Sequence, residues 1–370
     1  MAAGGRGRND GEADRRGEAR AARVSAARVP AARVLSARVA AGRIAAVAAL
    51  LALAACAAVT PPAQTPVQRS NALQAAPPPE PRASVPDSGR DSAALRTFYA
   101  SVENQLIEGG RMRRDVAPAD APYGTDDLVR DFERLALYDE YVDLDGRFVH
   151  QETSATLRRW DKPVRVGVMS GASMTPEDAA RDRANVAAFT NRLARLTGAD
   201  MGMGAAADVN FLVLFMTNEE RAAFADQIDA NFPSFDPAVM ASLRNTPLDN
   251  FCTTYSFMRP GDPTTYGAVI VAIRAEHPPF TRLSCVNEEM AQAMGLPNDS
   301  PEARPSIFNN SIEFALLTDH DAILLRMLYD PRLRPGMTAA EVRPLLPAIA
   351  RDAQAAQLAE EGGGMQVATN

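Results

Sequence analysis

Few side chains in this chain of 370 residues are of the kinds that most often bind transition metals or form catalytic triads. It contains three histidines, three cysteines and one tryptophan. So few histidines disfavour both a histidine-based zinc site and a Ser-His-Asp triad. The sequence also lacks a phosphate-binding loop, a dinucleotide-binding glycine motif, a G-x-S-x-G motif and a C-x-x-C pair. These absences argue against a nucleotide enzyme in particular.

Acidic residues dominate the chain once its first 55 residues are set aside. Those 55 residues carry ten arginines and four acids, whereas residues 56–370 hold the other 29 basic and 42 acidic residues, a net charge of −13. A domain with this charge has no long-range attraction to phosphate backbones or anionic lipid surfaces. We therefore expect no nucleic-acid partner.

An apolar run of twelve residues, 44–55, follows a basic segment and ends at Leu53-Ala54-Ala55-Cys56. As a helix it would rise only about 18 Å, too short for a bilayer core of about 30 Å. The run is typical of a signal peptide. Its end resembles the bacterial lipobox, in which the cysteine receives a diacylglycerol and the preceding peptide is removed. An ordinary signal peptide with an accidental cysteine is the alternative.

This resemblance implies a bacterial envelope lipoprotein, with residues 1–55 as the signal peptide and the membrane reached through a lipid on Cys56. Ala57, rather than an aspartate, follows the cysteine and favours the periplasmic side of the outer membrane. The Ala/Arg repeat of residues 21–45 is either a long basic leader or an extension upstream of a later start near Val34 or Val39. Residues 56–91 contain eight prolines and are predicted to form a semi-extended tether.

The two remaining cysteines, Cys252 and Cys285, are predicted to form a disulfide, because an exported protein meets an oxidising compartment. The alternative is that Cys285 is a nucleophile with His277 as its base, although no known cysteine-hydrolase signature surrounds it.

Periodicity predicts a mixed α/β (α+β) fold with one main domain. The part of the chain after the tether is predicted to consist of a helical part at 92–159, the main domain at 160–350 and a flexible tail at 351–370. The predicted helices are 92–109, 125–137, 175–197 (with Thr175 as its N-cap), 218–230, 287–295 and 318–328. The predicted strands are 141–149, 160–169, 209–216 and 266–275, with 209–216 central in the sheet and a turn at 201–204.

One stretch has the spacing of the metzincin zinc motif, H-E-x-x-H-x-x-G-x-x-H. Glu288, Gln292 and Asn298 take the three ligand places, Glu289 takes the place of the general base, and Gly295 takes the bend. Residues 288 and 292 are one helical turn apart and face the same way. A glycine at 295 lets the chain turn so that residue 298 can return to the same point.

Two later segments extend this resemblance. Residues 305–309, with Phe308, resemble the metzincin Met-turn, and residues 317–329 resemble the closing helix of matrix-metalloprotease-type domains. The resemblance implies a zincin-like domain with a mixed sheet and an active-site-type helix. Asp299 adds a carboxylate to the expected ligand-binding set. The histidines His150, His277 and His320 lie outside the motif and are interpreted as surface or capping residues.

All three zinc histidines of the motif are replaced by side chains that offer oxygen, so we predict no zinc site. A hard divalent cation such as Ca²⁺, Mg²⁺ or Mn²⁺ suits these oxygens if any metal binds, and the cofactor stays unknown. Alternatively, the adjacent carboxyl groups share a proton, and one of them has a raised pKa.

A second resemblance covers most of the folded part. The motifs E-E-x-x-Q-x-x-G-L-P-N-D-S, S-I-F-N and, at 325–337, L-x-x-L-Y-D-P-R-L-x-P-G-M resemble the domain-of-unknown-function family 2927, which occurs on bacterial lipoproteins. Three functions stay open. The first is a pseudo-metalloprotease that binds a peptide, protein or cell-wall ligand. The second is a hydrolase that uses Glu289 as general base, with a hard metal or none. The third is a structural envelope protein.

Overall fold

The structure is a computed structural model that describes residues 68–69, 91–144, 147–232 and 235–367. All of them belong to one compact unit, Gly42–Asn370, and the other unit, Met1–Ala41, lies outside the described residues. The predicted signal peptide, the lipidation site Cys56 and most of the tether also lie outside them, so those expectations stay predictions.

A six-stranded mixed sheet forms the centre of the fold, in the order β1-β7-β8-β6-β4-β5. Its strands are β1 (Gln68–Arg69), β4 (Val164–Ser170), β5 (Met201–Met203), β6 (Phe211–Met216), β7 (Cys252–Arg259) and β8 (Asp262–Arg274). Strands β5, β4, β6 and β8 are parallel, whereas β7 runs antiparallel to β8, and β1 runs antiparallel to β7. The α/β class is thereby confirmed.

Strand β6 is apolar throughout because both faces of the sheet are covered at this strand. All six of its residues are buried. Phe211, Val213 and Phe215 contribute to the larger hydrophobic core on one face of the sheet. Leu212, Leu214 and Met216 contribute to the smaller core on the other face. A parallel strand covered on both faces has no solvent-facing position for a polar side chain.

Helices cover the two faces unequally. They are α1 (Ser92–Glu108), α2 (Thr125–Ala136), α3 (Pro176–Thr197), α4 (Asn218–Asn231), α5 (Pro237–Arg244), α6 (Pro279–Gln292), α7 (Asp319–Leu328), α8 (Ala339–Val342) and α9 (Leu346–Val367). Side chains of α4 and α5 pack in the smaller core, whereas α1, α2, α3, α6 and α7 pack in the larger one. The carboxylate-bearing helix α6 therefore lies on the side with the larger core.

Several sequence-based boundaries need correction. The segment expected to be one strand at 141–149 is a hairpin of β2 (Tyr138–Leu144) and β3 (Arg147–Ser154). Residues 201–203 form edge strand β5, not a turn, because they pair with β4. Helix α6 begins at Pro279 rather than at residue 287. Elements α5, β7 and α9 were not predicted, and most of the expected tail at 351–370 lies in α9.

The described helices include none that is both long enough and apolar enough to cross a bilayer.

Candidate functional site on helix α6

Helix α6 is held in place by a disulfide to strand β7. Cys285 on the helix is bonded to Cys252 on the strand, with Cα atoms 5.9 Å apart. The predicted disulfide is therefore confirmed, and Cys285 is not a free thiol. The helix also packs against β8 and α3, so nearly all of its side chains are buried, including Glu288, Glu289 and Gln292.

Glu289 is fully buried, and its carboxyl group has one hydrogen-bonding neighbour among the described residues, Thr254 on β7. The hydroxyl oxygen of Thr254 lies 2.6 Å from Glu289 Oε2 and 3.1 Å from the backbone oxygen of Glu289. One hydroxyl proton cannot serve both oxygens well. A protonated Glu289 satisfies both contacts, because its carboxyl then donates to Thr254 while Thr254 donates to the backbone oxygen.

Electrostatics agree with a protonated Glu289. Burial raises the pKa of Glu289 well above its usual value, and the nearby carboxyl groups of Glu288 and Asp299 raise it further. The other oxygen, Glu289 Oε1, is buried with no hydrogen-bond partner among the described residues. An ionised carboxylate with one oxygen unsatisfied in an apolar interior is costly. Burial and the missing hydrogen bond therefore both favour the neutral acid over the carboxylate.

Gln292 and Asp299 form the second polar contact of the site. Gln292 Nε2 donates to Asp299 Oδ1 at 2.9 Å, whereas Gln292 Oε1 has no hydrogen-bond partner in the part of the chain that the structure describes. Burial and the carboxyl group of Glu288 raise the pKa of Asp299 well above its usual value. Two of the carboxyl groups around Glu288 thus have raised pKa values.

The structure does not bring Asn298 into this group of contacts. Its amide donates to the backbone oxygen of Arg134 at 3.0 Å and to Glu152 Oε2 at 3.2 Å, on α2 and β3. The bend before it is real, because Gly295 has φ +125° and a Cβ there would lie 2.2 Å from the backbone oxygen of Arg158. The bend brings Asp299, rather than Asn298, against Gln292.

We call Glu288, Glu289, Gln292 and Asp299 the carboxyl cluster. Among the described residues, no group of three or more His, Cys, Asp or Glu side chains is placed to hold a metal ion. Metal ligation also needs ionised carboxylates, and the raised pKa values of Glu289 and Asp299 oppose ionisation. In this arrangement the cluster is suited to hydrogen bonding and proton exchange.

Glu288 connects the carboxyl cluster to a pocket. Around it the pocket wall contains the disulfide, polar side chains from α6 and apolar side chains from segments before and after the helix. The lining residues are Met112, Phe251, Cys252, Thr281, Ser284, Cys285, Glu288, Ile307, Asn309, Ile312 and Phe314. We call this the Glu288 pocket. Its wall combines apolar side chains with one carboxyl group and a few small polar groups.

Asp321, near the start of α7, fixes the segment that resembles the Met-turn. It accepts hydrogen bonds from the Ser306 hydroxyl at 2.6 Å and from the backbone N–H groups of Ile307 and Thr318, each at 3.0 Å. Phe308 in this segment is fully buried. The segment is thus tied to α7, and its Ile307 and Asn309 form part of the pocket wall.

The interpretation of His277 and His320 as surface or capping residues is wrong, since both are buried. His320 Nε2 lies 3.1 Å from Asp131 Oδ2 on α2. Burial alone would lower the pKa of His320, but hydrogen bonds to Asp131 and Asp321 raise it above its usual value. Burial and the nearby Arg274 lower the pKa of His277 well below the usual value. The surroundings therefore favour the charged form of His320 and the neutral form of His277.

The chain was compared with families, curated proteins and solved structures. A family described as "Protein of unknown function (DUF2927)" matches residues 125–348, which is more than half of the chain. The matched range includes the whole carboxyl cluster and the closing helix α7. The searches of curated proteins and of solved structures gave no significant match. The chain therefore belongs to the DUF2927 family.

Proposed function

We propose that this protein is an envelope lipoprotein whose domain is a binding module with a degenerate metalloprotease-like site. The observation that carries the proposal is the state of Glu289. In the metzincin resemblance this residue takes the place of the general base, yet here it is fully buried and its pKa is raised well above the usual value. A base must be ionised to accept a proton, so a neutral Glu289 cannot act as one in this arrangement.

The replaced zinc ligands support the same function. Gln292 is a partner of Asp299, and the amide of Asn298 is directed to α2 and β3. The amide nitrogens of both side chains are thus engaged with other residues of the fold. A protonated Glu289 does not supply the ionised base that hydrolysis in a zincin-like cleft uses. What is retained is a pocket next to a buried polar cluster.

The Glu288 pocket offers the groups that a peptide-like ligand would contact, but its volume of about 10 Å³ holds no more than one water molecule, so its wall must open for such a ligand to enter. Apolar side chains such as Phe251, Ile312 and Phe314 can cover an apolar group, while Glu288 accepts a hydrogen bond from an amide or ammonium group. A peptide, a protein segment or a cell-wall peptide offers both groups together. A lipid on Cys56 and a proline-rich tether would place this pocket near the envelope surface, which is where such ligands occur.

The test exposes the full chain to a peptide mixture, a tryptic digest of casein, and measures retained and cleaved peptides by mass spectrometry. We expect the wild type to retain a subset without cleaving it. The E288Q variant should retain that subset at least about tenfold more weakly, since a hydrogen bond to a charged group contributes about 1.5–3 kcal/mol. The E289Q variant is the matched control and should bind like the wild type, because it replaces a neutral buried acid by a neutral amide.

The hydrolase alternative is supported by a specific observation as well. Buried acids with raised pKa values, such as Glu289 and Asp299, also occur where enzymes need a proton donor. The same experiment separates the two functions. Cleavage by the wild type that disappears in E289Q would establish the hydrolase, and the absence of any retained peptide would contradict the binding module.

A further inference from the structure

A second cavity lies between helices α3 and α9, and its lining residues differ entirely from those of the Glu288 pocket. Its volume is about 190 Å³, and Arg192, Arg195, Leu196, Gln357 and Glu360 line it. This volume is far more than the roughly 10–15 Å³ that one water molecule needs on a comparable measure. The cavity can therefore take a small ligand.

Its two arginines lack the carboxylate partners that several other arginines of the fold have. Arg192 donates one hydrogen bond, to the backbone oxygen of Leu317 at 3.2 Å. For Arg195, the described side chains provide neither a hydrogen-bond nor an ion-pair partner. By contrast, Arg181 on the same helix is paired with Asp178, and Arg326 on α7 is paired with Glu360.

The other polar groups in the wall are already engaged. Glu360 is the partner of Arg326. Gln357 accepts from Arg326 Nε at 3.2 Å and donates to Asp319 Oδ1 at 3.3 Å. Both side chains are therefore already engaged with residues other than the two cavity arginines.

The two arginines also repel each other. They are three residues apart on one helix, a spacing that places their side chains on the same face. Burial lowers the pKa of Arg192, and the positive charge of Arg195 contributes to that effect, against the opposing charges of Asp319, Asp321 and Glu360. A bound anion between the guanidinium groups would relieve this repulsion.

We propose that this cavity binds a small oxyanion, a carboxylate or a phosphate group. Guanidinium groups present planar sets of N–H donors that match the paired oxygens of both groups. Leu196 supplies an apolar wall, which leaves room for a short carbon body on the ligand. This binding site is independent of the proposed function of the Glu288 pocket.

The test is calorimetric titration of the full chain at constant ionic strength with inorganic phosphate and, separately, with acetate. Sodium chloride is the control for general screening. We expect saturable binding of at least one oxyanion and none of chloride. Saturation by phosphate alone identifies a phosphate ligand, whereas saturation by acetate identifies a carboxylate ligand.

Matched variants locate the binding. The R195Q variant should weaken binding at least about tenfold, because it removes a charged donor from the cavity. It should still fold, because Arg195 is exposed and its replacement breaks no described contact. The R183Q variant makes the same change at another exposed arginine of α3 and should bind like the wild type. Equal weakening in both variants, unchanged binding in R195Q, or no saturable binding of either oxyanion would overturn the proposal.

Discussion

Replacing Glu289 by glutamine should stabilise the protein, and the gain should grow with pH. The native state holds the Glu289 proton because burial and the carboxyl groups of Glu288 and Asp299 raise its pKa. An unfolded chain releases that proton near a pKa of about 4.3. Below that pH both states carry the proton. Above it, only the native state does, so each further rise in pH favours unfolding until the native pKa is reached.

The magnitude follows from this linkage. One proton bound by the native state and not by the unfolded state changes the free energy of unfolding by about 1.4 kcal/mol per pH unit. The E289Q variant has no such proton. Between pH 5 and pH 7, the stability difference between E289Q and the wild type should therefore grow by up to about 2.7 kcal/mol, the limit for a native state that holds the proton over the whole range. The amide keeps a donor and an acceptor for the contact with Thr254.

The assay is urea unfolding of the full chain at pH 5, 6 and 7 for the wild type, E289Q and a control, E108Q. Glu108 is exposed at the end of α1, so E108Q should follow the wild-type pH dependence. Because His277 and His320 titrate in all three proteins, their contributions cancel in the comparison. An unchanged or shrinking difference between E289Q and the wild type over this range would refute a protonated Glu289.

Three other features of the fold, the disulfide, His320 and Gly295, give further predictions. Reducing the disulfide between Cys252 and Cys285 should lower the free energy of unfolding by about 3–4 kcal/mol, measured by urea unfolding with and without reductant, because it closes a loop with a sequence separation of 33. The H320Q variant should lose about 1.5–3 kcal/mol at pH 6, because it removes the buried charged contact with Asp131, which keeps Arg130 as its other partner. Since the native pKa of His320 is raised, that loss should be full below a pH of about 6.5 and shrink as the pH rises through the native pKa, as unfolding at pH 6 and pH 9 would show. The G295A variant should be destabilised by at least about 1–3 kcal/mol in thermal unfolding, because φ is +125° and the added methyl group meets the Arg158 oxygen.

The elements that the sequence predicts well are those with a strong local signal. The apolar run of β6 fits only a strand covered on both faces. Helix α3 carries its own start and stop signals. Thr175 accepts a hydrogen bond from the N–H of Asp178, Pro176 is the first residue of the helix, and Gly198 ends it with φ 67°. These contacts join residues close in sequence, so the pattern alone determines them.

The elements that escaped prediction depend on distant partners. Strand β7 contains threonines and a serine that alternate poorly, yet it is buried because it lies between β8 and β1 and beneath α6. Helix α9 has no clear apolar stripe. It packs through a few buried side chains, most of them small, such as Ile349, Ala350 and Ala353. Between β2 and β3, by contrast, the sequence carries the dipeptide Asp145-Gly146, a local turn signal that would have predicted a hairpin.

The candidate site divides in the same way. The helical spacing predicted that Glu288 and Gln292 face the same way on one helix, and the glycine predicted the bend at residue 295. The partner of Glu289 could not be predicted, because Thr254 is 35 residues away in sequence. The same holds for the buried pair of His320 and Asp131, which are 189 residues apart. Gln292 contacts Asp299 rather than Asn298 because the amide of Asn298 is hydrogen-bonded to residues of α2 and β3. Those two elements are distant in sequence from α6.

Elemental analysis of the full chain, purified without added metal, tests most directly whether the metalloprotease-like site is degenerate. The wild type and the E288Q variant should both contain far less than one zinc ion per chain. One zinc ion per wild-type chain that is lost in E288Q would place a metal at the carboxyl cluster and contradict the proposed binding module.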